Sequence, residues 1–461
     1  MITKPKGTND IYGKDAKIWK YIDEIIDGVM EKYNYGYIRT PLFESTDLFH
    51  RGIGDTTDIV TKETYDFVDR GERKLTLRPE GTAGVVRSFI ENKMYGNGDL
   101  PVKVYYNGTM YRYERPQLGR DRELTQFGYE VLGTNDPLSD AEVISIAVNI
   151  YKMLGLKDIT VELNSLGDNE SRKNYREALI KYLEPHKDEL CDDCKERLSK
   201  NPLRVLDCKV DGESEILANA PKTIDYLNEE SKDRFEKVKS YLDIMKVPYI
   251  VNPKIVRGLD YYNHTVFEIK VDLPGLSNAQ TIGAGGRYNG LVKELGGPDT
   301  ECVGFATGLG RVVLTLKEQE VKLPIKDDVD LFIMYVSEDE KKYAVYLQQE
   351  LRMSGFVVDT EYTGRSLKSQ FKQAERLNSK YLIILNDEDL NNGVVQVKNV
   401  KTKEEEKIDL EYLIYYFDEK LADDDSCYEG ECHCGDDCDC GDDCDCGDDC
   451  HCGDNCKCHH E

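Results

Sequence analysis

Residues 123–132 restrict the fold more than any other stretch of this chain. In Glu-Leu-Thr-Gln-Phe-Gly-Tyr-Glu-Val-Leu, side chains alternate along an extended strand, so Gln126, Gly128 and Glu130 share one face while Phe127, Tyr129 and Val131 take the other. One face is polar and the other apolar. Similar short segments at residues 74–78, 102–107 and 110–115 are joined by tight links. That spacing predicts an antiparallel sheet, because parallel neighbours need long crossovers. An ordinary half-solvated sheet would alternate in the same way, so this pattern fixes a fold type and leaves function open.

The sheet sits within a longer plan. Ahead of it, Ile18, Ile22, Ile25, Val29 and Tyr33 recur at the period of an amphipathic helix ending near Gly36. Residues 168–246 turn to charged, helix-prone sequence, with Phe235, Val238, Tyr241, Leu242 and Met245 on one stripe, and this predicts a helical insertion. Strand-like, Gly-rich sequence returns at 255–269 and 281–288, followed by a helix from about Gly308, so the first domain is expected to resume there. Leu323-Pro324 marks a linker. Beyond it, strands at 329–336, 356–359, 381–385 and 394–398 alternate with helices at 342–353 and 366–377, which predicts a small α/β domain. The expected division is 1–167 with 247–322, an insertion at 168–246, a second domain at 327–420 and a tail at 422–461.

Charge and cysteine both concentrate in that tail. The formal net charge is −27, but Ala422–Glu461 alone holds fifteen Asp and Glu against one Lys, leaving about −13 for the rest. An acidic body still binds nucleic acid where its local surface is basic, so charge excludes no partner. Eleven of fifteen cysteines lie at or after Cys427, so the body is not a disulfide framework. No apolar run reaches the length of a secretory core or a bilayer span, and a soluble cytoplasmic protein without a membrane partner is expected.

Four segments carry candidate chemistry. Thr76-Leu-Arg-Pro-Glu-Gly-Thr82 ends a strand in a turn that presents Glu80, Gly81 and Thr82 before a helix with Val85, Val86 and Phe89. A carboxylate there is equally compatible with simple capping of the helix dipole. Arg112 and Glu114 precede a loop with Arg115, Gln117, Arg120 and Arg122. The third segment is Val256-Arg-Gly-Leu-Asp-Tyr-Tyr262 and the fourth Gly283-Ala-Gly-Gly-Arg-Tyr288, whose glycines allow close approach of backbone to a ligand. None matches a P-loop.

Taken together and in this order, the four resemble the histidyl-tRNA synthetase family over residues 1–420. Residues 36–44 look like class II motif 1, residues 109–130 like motif 2 and residues 304–311 like motif 3. Residues 257–262 and 284–288 resemble the two histidine-specific signatures. The resemblance implies an α+β class II catalytic domain, an antiparallel sheet flanked by helices, with a helical insertion, a C-terminal α/β anticodon-binding domain and a disordered tail. It implies a cytoplasmic homodimer acting on L-histidine, ATP with Mg²⁺, and tRNA(His). By the same resemblance, Glu80, Gly81, Thr82, Gln126, Glu130, Tyr261, Tyr262 and Tyr288 form the histidine pocket. Glu80, Thr82 and Gln126 meet the ammonium group, while Glu130 and Tyr262 read the ring. Arg112 and Arg257 are the catalytic pair, contacting histidine and ATP. Glu114 and Arg311 add to the ATP site, and Arg115, Gln117, Arg120 and Arg122 face the acceptor end of tRNA. One position departs from the family pattern: Gly310 stands where Glu usually precedes the motif 3 arginine.

Two further readings remain open at this stage. One is a histidine-binding paralogue that does not charge tRNA, like the regulatory subunit of ATP phosphoribosyltransferase; the other is metal sequestration as the main role. The latter rests on the tail, where Cys432, Cys434, Cys438, Cys440, Cys444, Cys446, Cys450, Cys452, Cys456 and Cys458 fall in repeats of Cys-x-Cys pairs resembling metallothionein. Thiolates so spaced suit Zn²⁺ or Cu⁺, and the segment has too few apolar residues for a core. In the insertion, Cys191, Cys194 and Cys208 supply three soft ligands without an evident fourth unless His186 is recruited, so free thiols are expected.

Overall fold

The computed structural model describes residues 1–53, 63–96, 98, 100–117, 119–208, 210–212, 214–256, 261–272, 280–326 and 328–425. The chain divides into two compact units between Ile325 and Lys326. Among the described residues, the first unit contains β1 Gly36–Tyr37, β2 Phe43–Ser45, β3 Tyr65–Val68, β4 Lys74–Leu77, β5 Val102–Tyr111, β6 Glu123–Leu132, β7 Ile159–Ser165, β8 Tyr249–Val251, β9 Asn263–Val271, β10 Gln280–Arg287 and β11 Cys302–Gly308.

Eight of these strands make one sheet in the order β1-β5-β6-β11-β10-β9-β7-β8, and β2-β4-β3 make a smaller one. Pairing in the large sheet is antiparallel except at its ends, where β1 runs parallel to β5 and β8 parallel to β7. The late strands β9–β11 enter between β6 and β7, so the chain on either side of the predicted insertion completes one sheet. Residues 102–107 and 110–115, which read as two strands, form the single β5 as far as Tyr111. Gly108 makes no turn. It admits the guanidinium of Arg78, which would lie 2.5 Å from an added Cβ and which donates to Thr40 O and Thr109 O.

The apolar face of β6 explains the main core. Phe127, Tyr129 and Val131 pack with Ile22, Ile26, Val29 and Met30 of the Lys14–Lys32 helix and with the Pro137–Met153 helix, which Asp136 caps by accepting from the Leu138 N–H. Within 168–246, the Glu229–Ile244 helix joins this same core through Phe235, Val238 and Leu242. Leu179, Leu190, Cys194, Leu198 and Val205 instead join a second core that also holds Phe89, Tyr261, Tyr262 and Tyr288.

The second unit has β12 Leu331–Met334, β13 Val358–Thr360, β14 Tyr381–Ile384, β15 Val394–Asn399 and β16 Glu405–Asp409, in the order β13-β12-β14-β15-β16. Its first three strands are parallel, with the Glu338–Met353 helix started by a Ser337/Glu340 capping box. Strand β16 escapes sequence reading because only Ile408 along it is buried. The closing Leu413–Asp425 helix runs into the segment assigned to the tail. Among the described residues, no helix is long and apolar enough to cross a membrane.

Candidate active site

Strand register decides where there is room for a ligand. Gly304 lies opposite Glu130, Ala306 opposite Gly128 and Gly308 opposite Gln126, while β10 sets Gly286 and Ala284 beside Gly304 and Ala306. Directly paired residues share a face, so the polar row of β6 borders glycine and alanine alone on that side. The reverse face is filled with rings: Tyr129 and Phe305 have centroids 5.2 Å apart, and Phe267 stacks on Phe305 at 6.0 Å. A cleft of about 800 Å³ opens over the small-residue face. Glu80, Thr82, Gln126, Tyr261 and Tyr262 line it together with Arg112, Glu114, Arg120 and Arg311.

Glu80, which is buried, accepts the backbone N–H groups of Thr82 at 2.7 Å and Ala83 at 2.8 Å. These are free donors of the first turn of the Thr82–Glu91 helix, so the capping reading of Glu80 is correct as far as it goes. One layer below the lining, Thr82 Oγ1 donates to Glu130 Oε1 at 2.7 Å and the Tyr288 hydroxyl donates to Glu130 Oε2 at 2.6 Å. Gly304 permits this, because a Cβ there would lie 1.7 Å from Glu130 Oε2. Burial pushes the Glu130 carboxyl up to about 8, although both hydroxyl bonds pull it down. Burial also raises Glu80, against the Ala83 and Thr82 donors and the nearby Arg112 charge. Two acidic groups that lack full compensation favour the arrival of a positive ligand group.

The guanidinium groups are held by backbone carbonyls, which leaves their charge unspent. Arg112 Nε donates to Pro79 O at 2.8 Å, and Arg311 donates to Gly119 O at 3.2 Å and Thr281 O at 2.6 Å. Glu114 is the local counter-charge, 3.9 Å from Arg112 and 3.4 Å from Arg120. Burial lowers the Arg311 pKa, and Arg120 and Arg112 lower it further. Arg112, Arg120 and Arg311 gathered around Glu114 are chemically suited to an anionic ligand. Gly310 lines the same cleft, and a Cβ there would meet nothing within 4 Å.

Of the loop residues, Arg115 and Gln117 are exposed, and Gln117 and Arg120 exchange backbone hydrogen bonds at 3.1 and 2.9 Å. Arg122 lies over the Tyr113 ring at 4.0 Å and donates to Glu114 O, so its side chain holds the loop. Arg257 lies outside the described residues, as do the tail cysteines from Cys427 to Cys458. Gly81 packs closely on Tyr106, since a Cβ there would lie 2.3 Å from that ring.

Sequence reading missed Tyr106 and Arg204. Tyr106 pairs directly with Gly128 and brings its hydroxyl within 3.5 Å of Gln126 Oε1, a placement the strand register implies. Arg204 lines the cleft from the insertion, where no local pattern marks it. Arg287, inside the fourth segment, is fully buried and bonds Asp140, Thr134 O and Ser139, an architectural role.

Comparison with known proteins follows the same division of the chain. A profile described as histidyl-tRNA synthetase matches residues 7–312, and one described as an anticodon binding domain matches residues 330–420. The chain is 50% identical over 421 residues to a histidine–tRNA ligase of Staphylococcus haemolyticus (strain JCSC1435), spanning 91% of this chain and 100% of that relative. The crystal structure of apo Staphylococcus aureus histidyl-tRNA synthetase aligns with a TM-score of 0.79 at 45% identity, covering 90% of this chain and 100% of that one. A histidyl-tRNA synthetase from Nostoc sp. PCC 7120 shares the fold at 19% identity, with a TM-score of 0.65 over 91% of this chain and 100% of that one. Profiles that match both units in order, and identity at half the positions along the whole of a relative, establish that this chain belongs to the histidyl-tRNA synthetase family.

Proposed function

We propose that the chain is a histidine–tRNA ligase, which joins L-histidine to ATP as histidyl-adenylate and passes the histidyl group to the 3′ end of tRNA(His). The supporting observation is one cleft that gathers buried acidic and amide groups and three guanidinium groups. Glu80, Thr82 and Gln126 receive the α-ammonium, and Tyr261 and Tyr262 wall the imidazole. Glu130 acts from beneath by fixing Thr82 and Tyr288. A competing amino acid without matching donors leaves these groups unpaired, which is the physical source of selectivity.

In activation, a histidine carboxylate oxygen attacks the α-phosphorus and the bond to pyrophosphate breaks. Both reactants are anions, so preplaced positive charge lowers the barrier. Arg112 and, by resemblance, Arg257 serve the α-phosphate, and Arg311 holds ATP. Mg²⁺ enters with ATP, and Glu114 offers the oxygen ligand this hard cation prefers. In transfer, a terminal ribose hydroxyl attacks the adenylate carbonyl and AMP leaves. Exposed Arg115 and Gln117 suit contact with the acceptor end, whereas Arg122 supports their loop. The second unit reads the anticodon. A homodimer is supported by the exposed apolar side chains Tyr37, Leu42, Phe43, Phe67 and Val68 around motif 1. The tail cysteines bind Zn²⁺ or Cu⁺ as a separate appendage.

Histidine-dependent ATP–pyrophosphate exchange and tRNA charging test this reading on full-length and tail-truncated protein. Both activities are expected in both forms, and Arg112→Ala is expected to lower exchange about a hundredfold, about 3 kcal/mol of barrier. Exchange without charging would instead support the non-charging paralogue.

A further inference from the structure

Two short turns meet within the inserted segment. Cys191-Asp-Asp-Cys194 opens the Asp192–Lys200 helix with Cys191 as its N-cap, and Cys208-Lys-Val-Asp211 follows the Pro202–Val205 turn. Each places two potential ligands three residues apart. The three sulfurs and a carboxylate oxygen of Asp211 all lie within 4.8 Å of one another. Asp211 is thus the fourth donor that the sequence left unidentified. His186 is engaged elsewhere, with Nδ1 2.9 Å from Glu189 Oε1.

We infer that Cys191, Cys194, Cys208 and Asp211 form a tetrahedral site for a thiophilic divalent cation, zinc by ligand preference. The geometry argues for a metal over a disulfide. Zinc–sulfur bonds of about 2.3 Å at tetrahedral angles set neighbouring sulfurs about 3.8 Å apart, and Cys191 and Cys208 sulfurs are 3.7 Å apart. A disulfide would require about 2.05 Å. It would also leave Cys194 and Asp211 without a purpose.

The surroundings of the cluster point the same way. Asp211 is buried, and among the described residues no ion pair engages it. It accepts the Cys191 N–H at 3.0 Å and otherwise faces the three thiols. Three thiols and a carboxylate turned toward one point are the donor set that a soft divalent cation takes. The backbone N–H groups of Val210 and Asp211 approach Cys208 Sγ at 3.4 and 3.5 Å, donors of the kind that stabilise a metal-bound thiolate. Gly212 keeps this turn tight, because a Cβ there would lie 2.4 Å from Cys208 O.

Four protein ligands leave no open position, so the site is structural. Cys194 and Cys208 bracket the stretch that contains Arg204, which lines the cleft. The metal therefore fixes one wall of the proposed active site without touching substrate. This inference stands independently of the proposed reaction, since its readout is metal content.

The tail cysteines obscure a simple zinc count, so the decisive protein is the full-length chain with its eleven tail cysteines changed to serine. Purified without chelator, it should contain one zinc per chain by elemental analysis, and Cys194→Ser in that background should lose it while Cys302→Ser keeps it. Cobalt reconstitution should give sulfur-to-metal charge-transfer and tetrahedral d–d bands. Asp211→Cys should retain one metal and intensify the charge-transfer band, an outcome that does not depend on any variant losing its fold. Absence of metal both as purified and after incubation with Zn²⁺ or Co²⁺ would overturn the site, as would a mass deficit of two hydrogens mapping to Cys191–Cys208.

Discussion

Glu130 shows how one side chain depends on neighbours far away in sequence. Its pKa is raised because burial strips water from the carboxylate, and the hydrogen bonds from Tyr288 and Thr82 offset this only in part. The folded carboxyl ionises near 8 and the unfolded one near 4.5, so its contribution to stability is intact below about 4.5 and is lost as pH rises through about 8. Glu130→Gln should therefore flatten the pH dependence of the melting temperature between these limits. It should also raise the KM for histidine at least about tenfold, because an amide nitrogen replaces one of the two oxygens that accept from Thr82 and Tyr288 and loosens the pocket above them. Gly310 is the opposite case. Nothing lies within 4 Å of its potential Cβ, so Gly310→Ala should stabilise the Leu309–Glu318 helix by up to about 1 kcal/mol in chemical denaturation, with exchange activity retained.

Among elements, the link between β10 and the Pro137–Met153 helix depends on a buried charge cluster. Arg287 and Asp140 are both fully buried, their closest atoms are 2.5 Å apart, and Arg234 of the Glu229–Ile244 helix reaches the same carboxylate at 3.0 Å. Three elements thus share one anion. Asp140→Ala leaves two arginines without it and should cost about 3–5 kcal/mol in urea unfolding, with loss of near-UV circular dichroism at lower denaturant. The same cluster explains why the Glu229–Ile244 helix packs in the main core although its sequence reads as continuous with the insertion. Periodicity identified the helix, but its partner is Asp140 on the Pro137–Met153 helix, 94 residues from Arg234.

At the scale of the whole molecule, Tyr37, Leu42, Phe43, Phe67 and Val68 are exposed apolar side chains around motif 1, with the Phe43 and Phe67 rings 6.1 Å apart. Such a surface is costly in water and suits a self-complementary contact. Phe43→Glu should convert a dimer to a monomer by light scattering at micromolar concentration, a weakening of about a hundredfold or more. A monomeric parent protein would remove the basis for the proposed dimer.

The sequence by itself determined the polar and apolar faces of β6 and the split into two units, because those follow from strand alternation and from linker chemistry, and resemblance to the family singled out Glu80, Gln126 and Arg112, which line one cleft. Only the tertiary structure decided that Glu130 lies beneath the cleft, that Arg204 contributes to its wall, that Tyr106 backs Gln126 and that Asp211 joins a set of three cysteines. Each of these rests on contacts between segments distant along the chain. Local pattern specifies which way a side chain points, whereas the neighbour it meets is set by register across the sheet and by the packing of whole elements.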